Sequence, residues 1–293
     1  HAGLLLACDA DGRSPHVLDP TGASAPRLLL DGWCPLRSTD AGEVARARLE
    51  RAVAVVERAH GPDHPDLAIA LVNLSNTQQA LHQLEPARQS LARALEIFER
   101  VLGPEHPNLA VTLANLGNVE STLGHFEQAE AHQRQALGIL EAAVGSRHPH
   151  VAAVLIGLGD TFRAQSRWSE ALEAYQRALA ILEADTDSDP TRLAGALIGL
   201  AWCELGQGRP DAALEPARRA LAIRTEQVGA PEALAEARWA MARVLRANDR
   251  EPERALELAR LALRAQEQAG SPEVEEIRAF VAEGSPRGEL APP

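Results

Sequence analysis

Gly61-Pro62-Asp63-His64-Pro65 returns as Gly103-Pro104-Glu105-His106-Pro107 and again as Gly145-Ser146-Arg147-His148-Pro149, with the closing prolines 42 residues apart each time. A fixed interval of this kind marks a repeat array, in which each unit is one supersecondary element that buries its apolar face against its neighbours. Length alone would divide 293 residues into about two domains. The period overrides that division and points to one elongated module.

Outward from these loops, each unit reads as a helix A, a tight turn, a helix B and a Pro-bearing connection. In helix A, Leu67/Leu71/Leu74, Leu109/Leu113/Leu116, Val151/Leu155/Leu158 and Leu193/Leu197/Leu200 stand at i, i+4 and i+7, one stripe of an α-helix. Beside the stripe runs a small column, Ala68, Ala110, Ala152, Ala194 and Ala235, joined seven residues on by Ser75, Gly117, Gly159, Ala201 and Ala242. Helix B carries Ala45, Ala87, Ala129, Ala171, Ala213 and Ala255 at a constant spacing of 42. Small side chains at fixed positions imply helices that cross closely there. Pro65, Pro107, Pro149, Pro190, Pro231 and Pro272 suit the first turn of a helix, where a missing N–H is no loss. Asp189 and Ser271 are expected N-caps. The A-to-B turn carries Gly124 or Gly208, with His82 and Ser166 at the equivalent places.

These signals divide the chain as follows: a non-repeat, irregular or β-like N-terminal segment 1–41, helix B of an incomplete first repeat at 42–60, and five repeats at 61–102, 103–144, 145–186, 187–228 and 229–270. A capping helix at 271–284 and a flexible tail at 285–293 follow. In the cap, Val274, Ile277 and Val281 share one side, and a polar outer face is what an array needs at its end.

Composition narrows the functional classes. Apolar residues make up 45% of the chain and aromatics only 3%, so the interior must be built from Ala and Leu at short helix–helix distances. The net charge of -12 argues against nucleic acid or an anionic membrane as partner, because neutralising phosphates takes a basic stripe. Cys8, Cys34 and Cys203 show no ligand spacing and imply a reducing, cytoplasmic setting. No apolar run approaches the ~20 residues needed to cross a bilayer. Leu5-Leu6-Ala7-Cys8 resembles the end of a lipoprotein signal, which would anchor the chain through Cys8. The basic start and long apolar run of such a signal are absent, and with His at position 1 a targeting segment would lie upstream.

Paired helices with small-residue columns and a glycine turn resemble tetratricopeptide repeats. The 42-residue unit, with Ala94-Leu95-Glu96-Ile97 in helix B and the Gly-Pro-x-His-Pro loop, is similar to the kinesin-light-chain type. The ending, from Arg238-Trp239-Ala240-Met241-Ala242 to Glu276-Ile277-Arg278-Ala279-Phe280, resembles arrays linked to bacterial, notably myxobacterial, serine/threonine protein kinases. The resemblance implies an all-α, right-handed superhelical solenoid of antiparallel helix pairs, with helix A residues lining a concave groove that holds an extended peptide. On that alignment Asn73, Asn76, Asn115, Asn118, Asp160, Arg163, Trp202 and Arg243 project toward the groove. An Asn amide offers a donor and an acceptor, so a row of them can pair with the backbone of a bound strand. Relatives that clamp a terminal carboxylate flank two asparagines with cations. Here Asn76 and Asn115 match the asparagines, but Val72, Ala153 and Gly157 stand at the cation positions, which favours an internal or basic segment as ligand.

The expected function is a non-enzymatic, peptide-binding protein-interaction module, without cofactor or metal. The alternatives are the regulatory arm of a bacterial serine/threonine kinase or nucleotide-binding signalling protein, and a lipid-anchored envelope scaffold. No Gly-rich nucleotide loop, His-Arg-Asp or Asp-Phe-Gly stands in the chain, so no kinase activity carries over. His64, His106 and His148 read as helix-start residues rather than a ligand ladder, since copies one unit apart do not converge on one ion at ~2 Å bonds.

Overall fold

The computed structural model describes residues 6–7, 16–17, 39–185, 189–227, 231–269, 271 and 273–284. Two short strands, β1 (Leu6–Ala7) and β2 (His16–Val17), pair antiparallel with Leu6 opposite Val17. Every other secondary-structure element among the described residues is a helix: α1 (Thr39–His60), α2 (Pro65–Ala80), α3 (Leu84–Leu102), α4 (Pro107–Thr122), α5 (Phe126–Val144), α6 (Pro149–Ala164), α7 (Trp168–Ala184), α8 (Pro190–Gly206), α9 (Pro210–Glu226), α10 (Pro231–Ala247), α11 (Pro252–Ala269) and α12 (Val274–Gly284). The expectations for Cys8, for Leu28-Leu29-Leu30, for Pro272 and for the tail 285–293 lie outside the described residues.

Each loop feature has a physical role. The ring Nδ1 atoms of His64, His106 and His148 accept the backbone N–H groups of Asp66, Asn108 and His150 at 3.2, 3.1 and 3.1 Å. The repeated histidine is therefore an N-cap, the role that Asp189 fills for α8 through a 2.8 Å bond from the Thr191 N–H. At the other end of each loop, Gly61, Gly103 and Gly145 take φ of 88°, 84° and 89°, with ψ of 171° at Gly103 and 154° at Gly145, an extended positive-φ conformation essentially open only to glycine. The A-to-B turns also take positive φ, at Gly124 and Gly208 and at His82 (56°) and Ser166 (57°), where a side chain is present. The fifth turn, with one residue more, places both Asp249 (51°) and Glu251 (44°) there.

Contacts group the chain into two compact units, His1–Gly157 and Leu158–Pro293, where the period alone suggests one module. In the first, α1 packs on α2, α2 on α3, α3 on α4 and α4 on α5. Leu67, Leu91, Phe98, Leu109, Leu113 and Leu140 fill its core, and Ala68, Ala87, Ala94, Ala110, Ala129 and Ala136 are fully buried where helices cross. In the second, α7 to α12 pack in chain order and α8 also meets α10. Its core runs from Tyr175, Leu182, Leu197 and Ile198 to Trp239, Leu245, Ile277 and Phe280, with Ala171, Ala178, Ala194, Ala213, Ala220 and Ala235 at the crossings. Each fully buried Leu or Phe contributes about 1.5–3 kcal/mol over its exposed state. The alanine columns set how closely the backbones approach.

Candidate functional site

In the first unit, Asn73 and Asn76 on α2 and Asn115 on α4 are half-buried, and Asn118 is exposed. Asn118 is held from behind. Gln133 reaches over from α5, fully buried, and its Nε2 donates to Asn118 Oδ1 at 2.9 Å. Two glycines make that reach possible. A Cβ on Gly117 would lie 2.7 Å from Gln133 Cγ, and one on Gly157 would lie 2.4 Å from Asn118 Oδ1 and 3.2 Å from Gln133 Nε2.

The second unit repeats this arrangement 42 residues later with other chemistry. Tyr175 on α7, fully buried, donates its hydroxyl to Asp160 Oδ1 at 2.6 Å. Its ring lies against Gly159 and Gly199, where a Cβ would stand 2.8 and 2.3 Å from ring atoms. Arg163, one turn along α6, approaches Asp160 at 3.6 Å. The Asp160 side chain is 51% exposed, yet the protein packed around it desolvates the carboxyl and pushes it up against the opposing pull of Arg163 and Tyr175, and burial beside Asp160 drives the Tyr175 hydroxyl well above the ordinary phenol range. Burial works against the Arg163 charge too and is the largest single influence on it, but Asp160, Tyr175 and Glu236 together outweigh it and hold that guanidinium above its usual value.

Glu236 on α10 belongs to the same electrostatic neighbourhood. Burial, reinforced by Asp160 and Glu273 and opposed by Arg163 and Arg224, raises its carboxyl to about 7. Burial also raises Glu273. Farther along, Trp202 is half-buried and Trp239 is 1% exposed, with ring centroids 6.5 Å apart. Trp239 meets Phe280 edge-on at 4.9 Å and is a packing residue of the cap. The Arg243 guanidinium lies over Trp202 at 5.1 Å and pairs with Glu276. The structure therefore brings Asp160 and Arg163 together, and Trp202 and Arg243 together. Asn73, Asn76 and Asn115 stand along α2 and α4 with no side-chain hydrogen bond to the described residues.

Gln133, Tyr175 and Glu236 are site residues that sequence reasoning does not single out. A signal exists for the first two. The helix B column Leu91, Gln133, Tyr175, Ala217 and Ala259 is wholly buried, and a polar member of such a column needs a partner. Among the described residues no group of three His, Cys, Asp or Glu side chains is placed to hold a metal. Cys203 is buried, and its thiol is pushed up to about 12, far from reactive. Among the described residues no helix is long and apolar enough to cross a membrane.

The family model for the tetratricopeptide repeat matches residues 37–99, 83–142 and 131–184, together half of the chain. A comparison with curated proteins finds no match. Among solved structures, BtubC (BKLC) from P. vanneervenii is similar at a TM-score of 0.59 and 21% identity, covering 86% of this chain and 97% of its own. A Podosopora anserina putative kinesin light chain of nearly identical TPR-like repeats is similar at 0.54 and 22%, covering 70% and 97%. A thermophilic TPR protein from Thermus thermophilus is similar at 0.52 and 19%, covering 74% and 98%. At these identities the likeness concerns the fold. With its helix pairs, glycine-closed turns and alanine crossings accounted for, the chain belongs to the tetratricopeptide-repeat family.

Proposed function

We propose that the protein is a non-catalytic docking module that binds an extended peptide along the first helices of its pairs. Tetratricopeptide repeats generally bind protein partners, and the binding face is inferred from the side chains. The observation that carries the reading is the support given to Asn118 and Asp160. Each is a polar residue on a helix surface, and each is fixed by a buried side chain of the following helix that reaches it past two glycines. A purely solvated residue needs no such support, whereas preorganisation lowers the cost of binding. Asn118 uses Oδ1 on Gln133, which leaves its amide N–H groups to meet a peptide carbonyl. Asp160 and Glu273, whose charges both reach Glu236, favour a basic residue of the ligand.

Peptides selected from a random display library against the protein test this reading by titration calorimetry. Asn118→Ala and Asp160→Ala should each weaken the selected peptides by about tenfold, the scale of one lost charged or well-placed hydrogen bond. Unchanged affinity in both, with melting temperatures intact, would remove the face from consideration.

A further inference from the structure

The helix B column Phe98, Leu140, Leu182, Arg224 and Gln266 recurs every 42 residues, and each member is buried. Phe98, Leu140 and Leu182 are core side chains at 0–1% exposure, yet Arg224, in α9, occupies the same place as a cation at 6% exposure. Its partners do not account for a buried charge. Nη1 donates to Gln227 Oε1 at 3.3 Å, Nε is buried without a hydrogen bond, and no carboxylate stands within ion-pair distance among the described residues. Gln227 is engaged in turn, donating to Thr191 Oγ1 at 3.2 Å. Two carboxylates face Arg224 without touching it: Glu236 on α10, which makes no hydrogen bond to the described residues, and Asp189, which already caps α8.

Access to this guanidinium comes from a second departure. The helix A position occupied by Ile69, Val111 and Ala153 in earlier repeats is Gly195 in α8. Gly195 is half-buried, and a Cβ there would meet one atom only, Arg224 Nη2 at 4.0 Å. A missing side chain on the surface thus opens onto a buried cation that took the place of a core leucine. We propose that Arg224, reached through the notch at Gly195, binds a carboxylate. That the carboxylate belongs to a docked peptide rests on the function proposed above; the oxyanion site itself does not. A guanidinium fork matches a carboxylate in shape and charge, and a buried cation whose one hydrogen-bond partner among the described residues is a neutral amide is a site whose completion ligand binding supplies.

The test follows the Arg224 Nε–H resonance by NMR, identified by its loss in Arg224→Leu, during titration with acetate against chloride at matched ionic strength. Calorimetry then compares acetyl-Gly-Glu-Gly-amide, its Gln counterpart, and acetyl-Gly-Gly-Gly with a free C-terminus. The expected result is a shift with acetate alone, tighter binding of whichever peptide carries the carboxylate in the accepted position, and at least about tenfold loss in Arg224→Leu. Gly195→Ala should melt at the same or a higher temperature, since its methyl makes an ordinary contact and replaces a helical glycine, while weakening acetate. Glu236→Gln should bind acetate more tightly, because a competing carboxylate is gone. The proposal is overturned if Arg224→Leu melts lower than the native protein, which would make the arginine structural, or if Gly195→Ala and native protein respond alike. An acetate response without preference for any carboxylate-bearing peptide would keep the site and count against peptide docking there. No acetate shift at the Arg224 Nε–H, with a display-selected peptide held equally by native protein and Arg224→Leu, would sink the site and leave docking standing.

Discussion

The Gln133–Asn118 and Tyr175–Asp160 pairs are the same construction in two chemistries. In both, a fully buried side chain on a second helix passes two glycines to bond a polar residue on a first helix, and every participant in one pair lies 42 residues from its counterpart in the other. The first pair is neutral and flexible; the second joins a rigid ring to a carboxylate with Arg163 alongside. A repeat backbone therefore fixes where a buried side chain can emerge, and local substitution decides whether the emerging site is an amide or a charge. Gly117 and Gly159, expected from the sequence to mark close helix crossings, serve as passages for these side chains.

Equivalent substitutions should reveal the difference in stiffness. Gly199→Ala sets a Cβ 2.3 Å from the Tyr175 ring, and a ring has no cheap escape, so overpacking should exceed the helix-propensity gain and cost about 2–4 kcal/mol in chemical denaturation. Gly157→Ala, its counterpart, displaces the ends of Asn118 and Gln133 and should cost about 1 kcal/mol or less. Equal costs would break the comparison. Next in size, Tyr175→Phe leaves Asp160 without its 2.6 Å donor and should cost about 1.5–3 kcal/mol, the range for a hydrogen bond to a charged group, measured by the denaturation midpoint at pH 7.

The charged pair also predicts a pH dependence. Burial holds Glu236 at about 7 against 4.5 in the unfolded chain, so the folded state retains a proton that the unfolded state releases. The stabilisation is complete below pH 4.5 and is lost as pH rises through 7, with Asp160 and Glu273 acting in the same sense. Discounted for the water that reaches a half-buried side chain, the native protein should lose on the order of 1–2 kcal/mol between pH 5 and 8. Glu236→Gln should flatten that slope, read by denaturation at both pH values. The smallest effect concerns the turns: His82→Gly and Ser166→Gly relieve a left-handed side chain at φ of 56° and 57° and should each stabilise by about 0.5–1 kcal/mol, read as a raised melting temperature. The same turns at Gly124 and Gly208 already have the benefit.

Much of the architecture is legible because it is periodic. The leucine stripes, alanine columns and proline starts specify helix pairs, and nearest-neighbour packing turns pairs into a tetratricopeptide fold without long-range information. The loop histidines are recognisable as helix-start residues, but their ring nitrogens as caps become visible only with the backbone amides in place. The asparagine row stands out by residue type, while its supporting shell does not. Gln133, Tyr175 and Arg224 stand in columns that otherwise read as core, and only the packed helices show what a polar atom there can reach.

The amino-acid order by itself determined which segments are helical, where they turn and which faces meet, because those choices depend on side-chain size and spacing within one unit and its neighbour. The tertiary structure alone decided which buried polar groups find partners and which do not. Hydrogen bonding and desolvation depend on distances of a few tenths of an ångström between helices, and no periodicity encodes them. Tyr175 meets Asp160, while Arg224, in an equally buried column, meets no carboxylate among the described residues.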